Sequence, residues 1–250
     1  MKKILTLICT LLCCGILFSQ TPGTSGTIVY EQKIKFQINL GGQSIPGVDT
    51  LPQERKSSKS LNFTPEATFY QNAKNTDDNQ MGMDAPEGVQ IMMVEPEDII
   101  YSDITALSTT EQREFMTRMF LITSDLKRHV WKMTGKQKTI LNYPCQEAVL
   151  ADTSKHVTAW FTPLIPVASG PAGFGNLPGM ILEISFEKGD RVIVAKSVEI
   201  KDVDKTTMIK PKKGKKVTRE EYNSIVDEKM KEMGESGGQG GHQMIIKINR

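Results

Sequence analysis

Between residues 27 and 40 apolar and polar positions alternate. Ile28, Tyr30, Ile34, Phe36, Ile38 and Leu40 share one parity, and Glu31, Lys33, Lys35 and Gln37 share the other. A period of two places the two sets on opposite faces of a pleated strand, so the stretch reads as half-buried β. Residues 41–57 are rich in Gly, Pro, Ser and charge and read as a loop. Short strands are predicted at 61–63, 68–70, 99–104, 115–122, 130–133, 146–151 and 156–161. Residues 74–88 carry Asp77, Asp78, Asp84 and Glu87 and read as a flexible polar loop. Asp152-Thr153-Ser154 joins 146–151 to 156–161 as a hairpin. Glu187-Lys188-Gly189-Asp190 joins a strand at 181–186 to another at 191–198 in the same way. Many strands at short spacing, with no alternation of strand and helix, predict an antiparallel sheet.

The pattern changes near the C-terminus. Residues 210–216 hold five lysines around Pro211 and Gly214, a solvated linker rather than a patch for an anionic partner. Thr218, with Glu221 three residues on, predicts a capping box and a helix start. Tyr222, Ile225, Val226, Lys229, Met230 and Met233 then fall on one helical face. Residues 234–241 are Gly-rich and read as flexible, and 244–248 could add a last short strand.

The N-terminus reads as a secretory leader over 1–19. Lys2 and Lys3 precede an uncharged apolar run from Ile4 to Phe18, and Ser19 is the small residue before the polar turn. The run is short for a membrane span of about 20 residues, and no later segment is apolar enough to cross a bilayer. Cys13 and Cys14 raise lipid anchoring as an alternative, but the bulky Leu11 and Leu12 before them fit it less well. Cleavage would remove Cys9, Cys13 and Cys14, leaving Cys145 alone and no internal disulfide. It would also take Lys2 and Lys3, turning the chain's +2 into charge balance. Such a chain is a poor match for nucleic acid or an anionic membrane. The expected compartment is the periplasm or the exterior.

Chemistry-bearing motifs are few. His129, His156 and His242 stand at no metal-ligand spacing from one another, and both His129 and His156 read as surface or edge residues. There is no Gly-x-Ser-x-Gly elbow. Cys145, in Tyr143-Pro144-Cys145-Gln146, is a nucleophile only if a histidine lowers its pKa; otherwise it is a small core residue. The run from Gly170 to Gly179 lacks a Lys-Ser/Thr ending and leads into a strand, so it is not a phosphate loop. Met230, Met233, His242 and Met244 offer thioether and imidazole ligands of the kind that suit Cu(I).

The segment Asn142-Tyr143-Pro144-Cys145-Gln146-Glu147-Ala148, the later Thr158-Ala159-Trp160-Phe161-Thr162-Pro163-Leu164-Ile165-Pro166, then Gly170-Pro171, and finally Asn176-Leu177-Pro178-Gly179-Met180-Ile181-Leu182-Glu183 together resemble the GLPGLI family of exported Bacteroidetes proteins. Asn176, Met180 and Leu164 depart from its pattern. The resemblance implies an exported protein of uncharacterised function and brings no catalytic residues.

The expectation is therefore a mainly β chain: a single curved antiparallel sheet, half-barrel in the extreme, with one C-terminal helix. Its divisions are a leader at 1–19, a β domain at 20–209 and a Lys-rich linker, helix and tail at 210–250. Trp160, Phe161, Pro163, Pro166, Phe174, Leu177, Pro178 and Gly179 form a rigid apolar loop at one end of the sheet, either a binding surface or an internal plug. The function expected is a non-catalytic envelope binding or accessory protein, with no cofactor, holding an apolar ligand or a partner protein. The alternatives are a copper binder at Met230, Met233, His242 and Met244, and an enzyme using Cys145.

Overall fold

A computed structural model of the chain describes residues 23–39, 54–73, 80–85, 89–94, 96–236 and 245–248. The leader expected at 1–19 lies outside them. The sheet begins with β1 (Gly26–Asn39), the alternating strand of the sequence, and β2 (Glu54–Phe63), β3 (Ala67–Asn72), β4 (Gln80–Ala85) and β5 (Val89–Val94) follow. Next come β6 (Ile99–Asp103), β7 (Ser108–Phe115), β8 (Arg118–Asp125), β9 (Trp131–Ile140), β10 (Tyr143–Leu150) and β11 (Val157–Thr162). The chain ends with β12 (Met180–Phe186), β13 (Arg191–Ile200), β14 (Lys215–Val217), helix α1 (Arg219–Ser236) and β15 (Ile245–Ile248).

Twelve strands form one open sheet in the order β14-β8-β7-β6-β3-β2-β1-β13-β12-β11-β10-β9. Every neighbouring pair is antiparallel except β14 beside β8. β15 pairs with the far end of β1, and β4 and β5 make a separate ribbon. The mainly β, single-sheet, one-helix reading of the sequence holds, and the sheet does not close into a barrel.

The core lies where the inward sides of the central strands are apolar. Ile28 and Tyr30 meet Leu61 and Phe63, and beyond them Ala159, Phe161, Ile181, Ile184 and Ile193, all fully or almost fully buried. Tyr30 is also pinned by polarity, because its hydroxyl donates to the Ile181 carbonyl at 2.7 Å. Burial, with the neighbouring Tyr70, raises the Tyr30 pKa well above its ordinary value. A second cluster docks the helix. Tyr222 packs edge-on against Phe120 at 5.4 Å between ring centres, with Ile122 beneath. The helix starts as its sequence predicts: Glu221 N donates to Thr218 Oγ1, and Thr218 N donates to the Glu221 carboxylate. It runs through Gly234 to Ser236, three residues into the stretch read as flexible.

One strand reading and two loop readings are corrected. Residues 115–122 are two strands, split by Met116 and Thr117 at φ 49° and 62°. Leu141 and Asn142, at φ 49° and 67°, likewise turn β9 into β10. Both are two-residue turns with positive φ at each central position, the geometry that matches strand twist. Neither carries the glycine that would announce it. The loop reading of 41–57 fails at Glu54, where β2 begins, and that of 74–88 fails at Gln80, where β4 begins.

A polar cavity as candidate functional site

The inward faces of β1, β2 and β13 change character along their length. On β1 the apolar Ile28 and Tyr30 give way to Gln32 and Ile34. On β2, running the other way, Phe63 and Leu61 give way to Lys59, Ser57 and Arg55. Register aligns the changes: Tyr30 faces Lys59, Gln32 faces Ser57 and Ile34 faces Arg55. On the other side Ile34 faces Arg191 of β13. Lys59 is only 5% exposed and Arg55 8%. Side chains of this kind are seldom buried so deeply without a chemical reason.

Gln32, Ile34, Arg55, Lys59 and Arg191 wall a cavity of about 310 Å³. Its other walls are Tyr70 and Ile100 from the sheet, Asp98 and Arg113, Phe174 from the loop after β11, and Arg219, Tyr222 and Asn223 from the first turn of α1. The helix is held there by its capping box and by Tyr222, so the same contacts that dock α1 also place Arg219 at the rim.

A charged network orders one side. The Arg113 guanidinium donates to Asp98 at 2.5 Å and to Glu111 at 2.9 Å, and Arg219 donates to the second Glu111 oxygen. Burial opposes the charge on Arg113, but Asp98 and Glu111 outweigh it and raise the Arg113 pKa above its ordinary value. Asp98 Oδ1 is buried with no hydrogen-bond partner among the described residues. On the opposite side Gln32 Oε1 accepts from Arg191 Nε at 3.1 Å and Nη2 at 2.8 Å, which fixes the guanidinium plane. Lys59 Nζ donates to Asn72 Oδ1. Sequence reading missed this site because it judged Arg55, Ser57 and Lys59 by polarity. The signal was their parity, which continues that of Leu61 and Phe63.

The loop singled out by the sequence, between β11 and β12, packs mainly inward. Ile165, Val167 and Leu177 are buried, while Pro163, Pro166 and Pro178 face outward. Phe161 lies in the core, and the half-buried Trp160 packs against it, with Lys138 4.3 Å over its ring. Gly179, at φ 147°, passes so close to the Thr162 carbonyl that a side chain could not fit. The eight residues thus do not share one surface; of them, Phe174 reaches the cavity. Two bonds tie the loop to the start of β9 and the residues just before it: Trp131 Nε1 donates to Gly175 O, and Asn176 Nδ2 donates to His129 O, both at 2.9 Å. His129 stacks on Phe174 with ring centres 4.5 Å apart. It is buried, not at the surface as its sequence context predicts, and its Nδ1 has no partner among the described residues. Burial, then the charges of Lys127 and Lys155, push its pKa down to about 4.

Of the chemical alternatives, the one at Cys145 fails, and the Met and His set for copper lies mostly outside the described residues. Cys145 is 1% exposed, its thiol bonds to the Tyr143 carbonyl, and burial raises its pKa to about 11. A thiol so placed is a core residue. Met230 stands 44% exposed on α1; the side chain of Met233 and all of His242 and Met244 lie outside the described residues. Among the described residues no three His, Cys, Asp or Glu side chains gather at metal-binding distance. No described helix is long and apolar enough to cross a membrane.

Comparison with known proteins gives the site its context. Residues 60–223 match the family model described as N-glycanase peptide, N-terminal domain. The fold is similar to solved structures of PNGF-II in two space groups. One aligns with a TM-score of 0.54 at 16% identity over 81% of this chain, the other with 0.51 at 17% over 79%. The chain spans about a third of the length of those structures, 33% and 32%. No curated protein matches the sequence. Two expectations are overturned. The match replaces the GLPGLI resemblance, whose motifs lie on the buried loop and its flanking strands. It also replaces the non-catalytic holder of an apolar ligand or envelope partner: the match is to an N-glycanase domain, and the cavity's walls mix charged and polar side chains with apolar ones.

Proposed function

Because the chain belongs to the family of N-glycanase N-terminal domains, we propose that it works on asparagine-linked glycans and holds the saccharide in the cavity between the sheet, the β11–β12 loop and α1. The observation that carries this reading is the overlap of the two: most of the cavity's walls, from Tyr70 to Asn223, lie within the matched residues 60–223. The wall chemistry supports it. Saccharides present hydroxyls to fixed polar groups and C–H faces to aromatic rings. Here Gln32, Asp98, Asn223 and the guanidinium groups supply the first, and Tyr70, Phe174 and Tyr222 the second. Asp98 is the carboxylate that lines the cavity, with Arg113 holding one oxygen. The leader read at residues 1–19 supports an exported chain, which would meet glycoproteins outside the cytoplasm.

The test uses the purified chain with an N-glycosylated peptide and the same peptide without its glycan. Calorimetry reads binding, and mass spectrometry reads glycan release and conversion of the linkage asparagine to aspartate. Glycan-dependent binding, or release, is the expected result. Equal behaviour toward both peptides, with no release, would overturn the reading.

A further inference from the structure

From Lys205 to Arg219 the chain carries seven cationic residues and no carboxylate. The outer two are paired, Lys205 with Glu66 and Arg219 with Glu111. The five between them, Lys210, Lys212, Lys213, Lys215 and Lys216, are exposed, and none has an ion-pair partner among the described residues. Their backbone is held in place. Met208 packs with Ala67 and Phe69, Pro211 is buried, and Lys215–Val217 is β14, paired with β8 at the edge of the sheet. Gly214, at φ 124°, lies so close to the Met119 backbone that a side chain would collide with it. Val217 packs against the cluster of Phe120, Ile122 and Tyr222. Five like charges therefore stand within about 20 Å of chain. The anchored backbone cannot spread them, so their repulsion is relieved only when an anion approaches. Directly before this row, Ile209 stands 66% exposed.

We propose that this edge of the sheet docks on an anionic lipid surface, with the five lysines over the headgroups and Ile209 at the interface. The charge row alone would suit any linear polyanion. Ile209 decides between the two: an exposed hydrocarbon side chain gains from the acyl boundary of a bilayer and gains nothing from a sulfated or phosphorylated polymer. The whole chain is close to charge balance, at +2, so the attraction is confined to this segment rather than spread over the surface. Arg219, at the rim of the cavity, follows β14 by two residues. Docking through β14 therefore keeps the cavity next to the surface.

The experiment sediments the purified chain with vesicles of phosphatidylcholine alone and of an equimolar mixture with phosphatidylglycerol, at low and high salt, and titrates it with dextran sulfate. The expected result is at least about tenfold tighter binding to the anionic vesicles, lost at high salt as the charges are screened. Lys212→Gln with Lys213→Gln should cut that binding at least about tenfold, since each lysine near such a surface is worth roughly fivefold. Ile209→Ser should weaken binding to vesicles several-fold and leave dextran sulfate unaffected. Lys132→Gln with Lys188→Gln, exposed lysines on distant strands and turns, should change nothing. All these positions are exposed, melting curves verify that the variants fold, and the wild-type vesicle series decides the matter even where a variant does not. Equal binding to both kinds of vesicle, or to neither, would overturn the proposal. So would equal losses from the distant pair. Binding to dextran sulfate without vesicle binding, or an Ile209→Ser variant that binds vesicles normally, would assign the row to a linear polyanion and overturn the lipid surface.

Discussion

Acid should unfold this protein through His129. The imidazole lies stacked on Phe174 under the β11–β12 loop, and its pKa falls from 6.5 to about 4, chiefly through burial. In the unfolded chain it regains its ordinary value, so between pH 6.5 and 4 the unfolded state binds more protons. Stability then rises with pH: the contribution is complete above about pH 6.5 and is lost as pH falls toward 4. Between pH 7 and 4.5 the loss from this one group is about 2.5 kcal/mol. In a domain of this size that corresponds to a fall in Tm of roughly 5–10 °C. Other groups titrate too, so the measurement is a difference. Urea melts of the wild type and of His129→Phe, which keeps the stacked ring but cannot protonate, are compared at pH 7, 6, 5 and 4.5. The stability gap should shift in favour of the variant by about 2.5 kcal/mol as pH falls. Parallel curves for the two proteins would refute the reasoning.

Gly179→Ala should destabilise the fold by about 2–4 kcal/mol in denaturant melts, because φ is unsuited to alanine and the Thr162 carbonyl blocks the new methyl. Glu111→Gln should cost about 1–3 kcal/mol by the same measurement, since it weakens the hold on both Arg113 and Arg219. Cys145 should resist alkylation at pH 8 for hours in the folded protein and react at once in urea, as burial keeps it a thiol.

The sheet was legible in residues whose polarity agrees with their side. Ile28 and Tyr30 point inward and are apolar, while Glu31 and Lys33 point outward and are charged, so period two appears directly. The helix was legible because Thr218 and Glu221 sit at the capping spacing and do bond each other. The site was not, and for one cause: Arg55, Ser57, Lys59 and Gln32 point inward and are polar. A rule that equates inward with apolar must read such a strand as loop. Glu111 and Arg113 are hidden likewise, because their partners, Asp98 and Arg219, are distant in sequence and only the fold joins them. The turns at Met116-Thr117 and Leu141-Asn142 were missed because they adopt positive φ without glycine.

β1 lies between β2, which follows it closely, and β13, whose Ile193 stands opposite Gln32. The first strand of the sheet is thus completed by one of the last. A ribosome or an export channel delivers the chain from its N-terminus, so the bulk of the protein must emerge before the middle of the sheet can close. Until then one side of β1 keeps its amides and carbonyls open to any extended chain nearby. The arrangement makes maturation a late, all-at-once event, and places the greatest hazard of misassociation in the interval before β13 arrives.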